Sequence, residues 1–204
     1  NPVSNAYYAL FALQHRGQQG CGIAAWKEGK LVCHRRDGLV GDVFSGDALD
    51  ELGSSGLMAV GHCLYGGGAL SEPTSQPLVV NHLRGQMALV FNGALTNAAQ
   101  LRAELESRGA IFHTASDAEV IAYAIIHEQL RCEQIEMAVA RAMERLSGAY
   151  SLVLTTRDQL IAARDPQGLH PLCIGKVGQS HVVASETCAL DAVGASFVRD
   201  VKAG

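Results

Sequence analysis

The order of the apolar patterns along the chain constrains its fold more than any other sequence feature. Strand-like segments occupy both ends of the 204 residues, and a block of helical segments lies between them. The last strand-like segments are joined by connections too short for parallel crossovers, so they should pair antiparallel. Two stacked antiparallel sheets with helices on both outer faces would bury every apolar face. The sequence therefore predicts a single α+β domain over residues 1–204.

Periodicity and capping residues assign the individual segments. Ser116 and Glu119 form a capping-box pattern, and Gly109 and Gly148 each follow the end of a helical pattern. Helices are predicted at 6–13, 97–108, 116–128 and 133–146. Strands are predicted at 22–26, 31–35, 57–61, 87–91, 150–155, 160–164, 172–175 and 182–185, the first two as a hairpin.

Composition excludes several classes of function. Hydrophobic residues make up 48% of the chain and charged residues 18%, which is typical of a globular protein. The formal charge is −4, and the basic residues are scattered, so no nucleic-acid partner is expected. The sequence contains no apolar run of about 18 residues, so no membrane partner is expected either. These properties favour a cytoplasmic protein.

The cysteines also bear on compartment and metal binding. The six cysteines are far apart in the sequence and lie mostly within apolar patterns. Free buried thiols in a reducing cytoplasm explain this distribution. Because no Cys-x-x-Cys or His-x-x-x-His spacing occurs, we expect no metal site.

Asn92-Gly93 is the strongest candidate for chemistry. The apolar run 87–91 predicts a buried strand that ends at this pair, and a helical pattern follows with Thr96 and Asn97 as capping residues. Such a corner presents the Asn92 side-chain amide and the Gly93 backbone N–H, the kind of donors that form an oxyanion hole. An ordinary turn accounts for the same residues equally well.

Other candidate residues have structural explanations when taken alone. Arg16 follows the first helical pattern, where a cation favours the negative end of the helix dipole. Asp117 lies in the first turn of its helix, where a carboxylate is favoured. Arg164-Asp165-Pro166-Gln167-Gly168 is typical of a turn. Gly66-Gly67-Gly68 lacks the remainder of a phosphate-binding loop, and a mobile flap over a site is the alternative.

Short motifs nevertheless run through almost the whole chain in a fixed order. They include Gln14-His15-Arg16-Gly17-Gln18, Gly61-His62, Gln76-Pro77, Asn92-Gly93, Leu95-Thr96-Asn97, Ser116-Asp117-Ala118-Glu119, Gly148-Ala149-Tyr150, Arg164-Asp165-Pro166 with Gly168, and Ala184-Ser185-Glu186-Thr187. Their order resembles the glutaminase domain of the class II, N-terminal-nucleophile (Ntn) glutamine amidotransferases. Within that superfamily the chain is most similar to the amidophosphoribosyltransferase family.

The resemblance implies an Ntn-hydrolase fold, a four-layer αββα sandwich with two antiparallel sheets. An N-terminal cysteine would attack the side-chain amide of glutamine, with its own α-amino group as base. Asn92 and Gly93 would form the oxyanion hole. Asp117 would bind the substrate α-ammonium group, and Arg16 would lie close to the nucleophile. Tyr65 would contact substrate from the segment 64–76, which would close over glutamine.

The same resemblance implies the wider function. Glutamine would be hydrolysed to glutamate and ammonia, and the ammonia would pass to a phosphoribosyltransferase domain or subunit in purine biosynthesis, a glycosyltransferase reaction. No cofactor is expected in this domain, and a homo-oligomer is expected. The family's first strand, which carries the cysteine, and the synthase domain are both expected to lie outside residues 1–204.

The chain departs from the family pattern in four ways. The chain starts at Asn1 without the Cys-Gly pair, and Leu64 occupies the position of an arginine that grips the substrate carboxylate. Arg84 is an alternative cation for that role. Phe91 and Ala94 replace the polar neighbours of Asn92-Gly93, and His170 replaces an arginine in the late turn.

Three hypotheses follow from these departures. The intact Asn92-Gly93 and Asp117 favour an enzyme, a glutaminase domain whose nucleophile is expected outside residues 1–204. Leu64 favours a catalytically degenerate domain retained for binding or assembly. A stand-alone hydrolase using Cys21 or Cys63 is the least favoured, because neither cysteine adjoins a helix start or an obvious base.

Overall fold

The computed structural model describes residues 1–53, 56–66 and 76–204. Seven α-helices and ten β-strands are found in these ranges. The helices are α1 (Pro2–Ala12), α2 (Val40–Val43), α3 (Ala48–Leu52), α4 (Ala98–Ser107), α5 (Asp117–Gln129), α6 (Ile135–Met143) and α7 (Thr187–Ala192). The strands are β1 (Gly20–Lys27), β2 (Lys30–Asp37), β3 (Ala59–Leu64), β4 (Leu78–His82), β5 (Gly85–Leu95), β6 (Gly148–Thr155), β7 (Leu160–Arg164), β8 (Cys173–Val177), β9 (Ser180–Ala184) and β10 (Ser196–Asp200).

The described strands form three antiparallel sheets. Their orders are β2-β1-β3, β10-β8-β9 and β4-β5-β6-β7. The predicted β1–β2 hairpin is present, with Ala24 opposite Cys33. Antiparallel pairing also joins β6 to β7 and β8 to β9. The expected α+β fold with antiparallel sheets is therefore confirmed.

Apolar clusters define the layers between these sheets. Ala24 and Val60 of one sheet pack against Ala88 and Val90 of another, which joins β1 and β3 to β5. The opposite face of β5 and β6 packs against α4, α5 and α6 around Leu89. On the other outer surface, α1 contacts β1, β3 and α7. Each amphipathic face is thereby covered, as expected for four stacked layers.

A slot separates two of the sheets within one layer. The cavity between β3 and β9 has a volume of about 230 Å³ and is walled above by α1 and below by β5 and β6. Among the described strands, β3 pairs only with β1 and β9 pairs only with β8. Their outer edges both border the slot. The strands of this layer therefore divide into two groups instead of forming one continuous sheet.

Several element boundaries differ from the sequence-based predictions. The strand expected to end at residue 91 continues to Leu95, so Asn92-Gly93 lies inside β5 instead of at a corner. The helix expected at residue 6 begins at Pro2, with the Asn1 side chain accepting a hydrogen bond from the Val3 N–H. Asn97 precedes α4, but its side chain binds Arg145 and Ser147 instead of capping the helix. Glycine is disfavoured in strands, so the sequence predicts that the strand ends before Gly93. Pairing with β6 nevertheless keeps Gly93 in β5.

Asp165 organises the turn that follows β7. The residue is fully buried, and its carboxylate accepts hydrogen bonds from the backbone N–H groups of Gln167 and Leu169 within the turn. It also accepts the N–H of Tyr150 at 3.0 Å. Burial alone would raise the pKa of Asp165, but these backbone donors hold it below its usual value. One carboxylate therefore joins the turn to β6.

His62 is a half-buried titratable group at the slot. It lies on β3, and burial lowers its pKa to about 4. The imidazole is consequently neutral at physiological pH.

Among the described residues, no helix is both long enough and apolar enough to cross a membrane.

Replacing Asp165 with asparagine should destabilise the fold. Asp165→Asn retains one acceptor oxygen but turns an NH₂ group toward a backbone donor, so the free energy of unfolding should fall by about 2–4 kcal/mol. Urea denaturation measures the change. Asp158→Asn, an exposed turn residue, is the matched control and should change stability by less than about 0.5 kcal/mol. Equal effects of the two substitutions would contradict the role given to Asp165.

His62 should make stability depend on pH. The pKa of a histidine is near 6.5 in the unfolded chain, and that of His62 is about 4 in the folded chain. Between these pH values the unfolded chain therefore binds a proton at His62 that the folded chain does not bind. Stability from this residue is present above that window and is lost as pH falls through it, by about 2 kcal/mol between pH 7 and 5. Denaturant titrations at each pH measure this loss. It should shrink in His62→Gln and persist in a variant of the exposed His181, His181→Gln.

Candidate functional site

One cavity brings together all of the site residues that the sequence singled out. Its volume is about 590 Å³, and Arg16, Tyr65, Asn92, Gly93 and Asp117 all line it. These residues come from the end of α1, the end of β3, the last part of β5 and the start of α5. The segment expected to close over substrate, 64–76, falls largely outside the described residues, and of its members Leu64, Tyr65 and Gln76 contact the cavity.

The last part of β5 has an open edge at this cavity. Pairing between β4 and β5 begins at Leu78 and Leu89, so within the described residues no strand flanks β5 beyond that point. Two side chains take the place of a strand. The Gln76 amide accepts the Phe91 N–H at 2.6 Å and donates to the Phe91 carbonyl at 2.9 Å. The Asp117 carboxylate accepts the Leu95 N–H at 2.8 Å.

Gly93 lies between these two occupied positions. Its partner on β6 is Tyr150, whose backbone N–H and carbonyl both bind Asp165. Backbone groups alternate in direction along a strand, so the N–H of Gly93 points the same way as those of Phe91 and Leu95, toward the cavity. The described residues supply no acceptor for it. A backbone donor is therefore presented to whatever occupies the cavity.

The residue at position 93 must be glycine. Its φ is +143°, and an added Cβ would lie 2.1 Å from the carbonyl oxygen of Ala149. Gly93 and Ala94 are exposed although they pair with β6, because the cavity opens over their other side. Asn92 is half-buried and lines both the cavity and the slot. This arrangement can place a side-chain amide and a backbone N–H beside one developing negative charge.

Asp117 has both a structural and an available side. Ser116 caps α5 by accepting the Ala118 N–H, and Asp117 follows as the first residue of the helix. One carboxylate oxygen binds the Leu95 N–H, and the side chain also contacts the cavity. Glu119 departs from the expected capping box, since it accepts the N–H groups of His113 and Thr114. A carboxylate at this place can bind a cationic group of a ligand.

Arg16 is held in the cavity wall by Glu186. Its guanidinium donates to Glu186 Oε1, while His15 Nε2 lies 2.9 Å from Glu186 Oε2. Arg16 lowers the pKa of Glu186, against the effect of burial, and His15 adds to the lowering. The carboxylate is therefore ionised and fixes the direction of the arginine. Glu186 stands in the motif Ala184-Ser185-Glu186-Thr187, but its role could not be predicted from the sequence, because 170 residues separate it from Arg16.

The positions that depart from the family pattern adjoin this cavity. Leu64, which ends β3, lines the wall with an apolar side chain, and the exposed Tyr65 follows it. Phe91 is buried against Tyr150, with ring centroids 6.3 Å apart. His170 contacts the cavity as well. Arg84 lies in the turn that joins β4 to β5, at the opposite end of β5, and is therefore not a cation of this cavity.

Cys21 and Cys63 are unsuited to nucleophilic chemistry. Burial raises the pKa of Cys21 to about 11. Burial, with a smaller effect of Cys21, raises the pKa of Cys63 to about 12, and its Sγ lies 3.5 Å from the Leu10 carbonyl oxygen. A thiol is nucleophilic only as the thiolate, so both are inert at neutral pH. Neither cysteine can therefore serve as the nucleophile of a stand-alone hydrolase.

The chain is similar in sequence to known proteins. The family model described as "Glutamine amidotransferase domain" matches residues 68–192. The amidophosphoribosyltransferase of Methanocaldococcus jannaschii is 42% identical over 207 residues, which cover 100% of this chain and 43% of that protein. The amidophosphoribosyltransferase of Bacillus subtilis is 42% identical over 202 residues, covering 97% of this chain and 41% of that protein. The chain thus spans less than half the length of these relatives.

Solved structures extend the similarity to three dimensions. The structure titled "Glutamine phosphoribosylpyrophosphate (PRPP) amidotransferase from B. subtilis complexed with ADP and GMP" has a TM-score of 0.90 and 41% sequence identity, covering 99% of this chain and 43% of that chain. A second, titled "Structure of the allosteric regulatory enzyme of purine biosynthesis", has a TM-score of 0.91 at 41% identity. The chain therefore belongs to the glutamine amidotransferase domain family, and the two relatives named above are amidophosphoribosyltransferases.

Proposed function

We propose that this chain is the glutaminase domain of an amidophosphoribosyltransferase-like enzyme. It binds glutamine in the cavity of Asn92, Gly93 and Asp117 and promotes hydrolysis of the side-chain amide to glutamate and ammonia. The observation that carries this proposal is the open edge of β5, where the Gly93 N–H lies between two occupied positions. An oxyanion held there meets a donor that needs no reorganisation.

The charges of the cavity suit the two ends of glutamine. Its reacting carbonyl oxygen accepts hydrogen bonds from Gly93 and Asn92. Its α-ammonium group pairs with Asp117. This carboxylate binds the Leu95 N–H, two residues beyond Gly93 on the same edge of β5. Arg16 is the arginine that lines the cavity among the described residues, so it supplies the positive charge near the reacting centre.

The slot between β3 and β9 is the position proposed for a strand that carries the nucleophile. Two unpaired strand edges face each other across it, and an added extended strand would satisfy both. Asn1 lines the slot, while Leu13 and Arg16 beyond the C-terminal end of α1 line the cavity. A strand that precedes Asn1 and runs back beneath α1 would begin at the cavity. A cysteine at that end would attack glutamine, with its α-amino group taking the thiol proton.

The resulting ammonia is proposed to pass to a phosphoribosyltransferase domain, as the names of the relatives suggest for proteins more than twice this length. We place the reaction in the cytoplasm, because the six described cysteines are free thiols. A homo-oligomer remains part of this proposal.

Leu64 favours a second candidate, a degenerate domain that no longer hydrolyses glutamine. Its apolar side chain lies in the cavity wall where the family resemblance expects a carboxylate-binding arginine. Loss of one charge-assisted contact weakens binding by about 1.5–3 kcal/mol, roughly ten- to a hundredfold in affinity. This cost lowers the affinity for glutamine without removing the oxyanion donors.

N-terminal sequencing and intact mass of the mature protein, followed by a glutaminase assay, decide between the two candidates. We expect a Cys-Gly start and measurable release of glutamate. Asn92→Ala should then lower kcat by about 10²–10³, because it removes one oxyanion donor. Asn81→Ala, at the exposed end of β4 in the same sheet, is the control and should leave kcat unchanged. A mature start without cysteine would establish the degenerate candidate.

Leu64→Arg should lower the KM for glutamine by roughly ten- to a hundredfold, because it adds a carboxylate partner to the cavity wall. Steady-state kinetics measure this change. Leu64→Met keeps an apolar chain of similar volume and should leave KM within about threefold of the wild-type value. An unchanged KM in Leu64→Arg would mean that the glutamine carboxylate binds elsewhere.

A further inference from the structure

A second cluster of reactive side chains lies behind the cavity wall. His15 follows α1, whereas Glu186 and Cys188 come from the start of α7. The atoms His15 Nε2, Glu186 Oε2 and Cys188 Sγ all lie within 4.8 Å of one another. We propose that these three side chains bind a divalent transition-metal ion of the Zn²⁺ type.

The donor set matches this class of ion. Imidazole nitrogen, thiolate sulfur and carboxylate oxygen are the ligands that Zn²⁺ takes in proteins. Tetrahedral coordination at normal bond lengths separates nitrogen from oxygen by about 3.3 Å and oxygen from sulfur by about 3.5 Å. The corresponding distances are 2.9 Å for His15 to Glu186 and 3.6 Å for Cys188 to Glu186. The third pair, His15 Nε2 and Cys188 Sγ, lies within 4.8 Å, against about 3.6 Å in tetrahedral coordination, so binding would draw these two atoms together.

Neighbouring groups already orient the ligands. His15 Nδ1 lies 3.1 Å from the Ala12 carbonyl oxygen, a contact in which the Nδ1–H donates and Nε2 is left for an ion. Arg16 binds Glu186 Oε1 and leaves Oε2 free to coordinate. A guanidinium has no lone pair to offer, so Arg16 holds the carboxylate without competing for the ion. Metal-binding histidines and carboxylates in proteins are commonly supported in this way.

Two of the ligand atoms already approach the third. His15 Nε2 and the Cys188 thiol both point at Glu186 Oε2. A bound divalent ion would displace the thiol proton to solvent and hold the sulfur as a thiolate. The His15 side chain is 57% exposed, which leaves the ion a path of entry.

The proposed metal site lies next to the glutamine cavity and shares no ligand with its wall. His15, Glu186 and Cys188 are absent from the described cavity wall, whereas Arg16 and Ser185 belong to it. The proposed ion would tie the end of α1 to the start of α7, next to the carboxylate that fixes Arg16. The inference rests on the cluster alone and stands whether or not glutamine is the substrate.

Titration of the chain with Zn²⁺ and Co²⁺, with a non-chelating reductant present, tests the proposal. We expect one ion per chain, and for Co²⁺ a thiolate-to-cobalt charge-transfer band. Cys188→Ser should abolish that band, and Cys188→Ser and His15→Gln should each weaken Zn²⁺ binding by at least about tenfold. Cys132→Ser, which changes another partly exposed thiol, and His181→Gln are the controls and should bind as the wild type does.

Two results would overturn the proposal. One is an absence of saturable binding to the wild-type chain; the other is binding that Cys188→Ser and His15→Gln leave unchanged. Thermal unfolding separates misfolding from ligand loss. All four variants should melt cooperatively, and Zn²⁺ should raise the Tm of the wild type and of the two controls only.

Discussion

The open edge of β5 is the constraint on which the candidate site depends. A strand edge with free donors normally pairs with another strand. Here two side chains occupy the positions on either side of one free N–H. Gln76 binds both backbone groups of Phe91, and Asp117 binds Leu95. Asp165 fixes the opposite strand by holding Tyr150, the partner of Gly93. The donor at Gly93 is therefore rigid before any ligand arrives.

The layered fold explains why these residues meet. Residues 76, 93, 117 and 165 come from separate parts of the chain, and the stacking of antiparallel sheets places them around one end of β5. The same stacking leaves a slot between β3 and β9, next to that end. His62 and Asn92 line both spaces, so the slot and the cavity communicate. An extended segment in the slot would reach the donors without rearrangement of the sheets.

Much of this architecture could be predicted from the sequence, because alternation and helical periodicity report burial directly. The β1–β2 hairpin and β7 illustrate this, since apolar alternation and short connections define both. The extension of β5 through Gly93 could not be predicted, because glycine has no side-chain pattern and only pairing with β6 shows the strand. The short helices α2, α3 and α7 carry too few residues for a periodic signal.

The sequence singled out the cavity residues that stand in recognisable motifs, but it did not reveal contacts between residues distant in sequence. Asn92, Gly93, Asp117, Arg16 and Tyr65 stand in motifs, and the structure places all five on one cavity. Gln76 and Glu186 stand in motifs too, but their partners Phe91 and Arg16 are distant in sequence, so their roles needed three-dimensional contacts. The cluster of His15, Glu186 and Cys188 has no recognisable spacing, because two α-helices bring its members together.

The Gly93 N–H and the Asn92 amide are proposed to form the donor pair for a glutamine carbonyl. An NMR titration of ¹⁵N-labelled chain with L-glutamine tests this pairing, since binding needs no nucleophile. Saturable shifts of the Gly93 backbone amide and the Asn92 side-chain amide are predicted. Saturable binding that leaves both resonances unmoved, or a complete absence of binding, would contradict the claim.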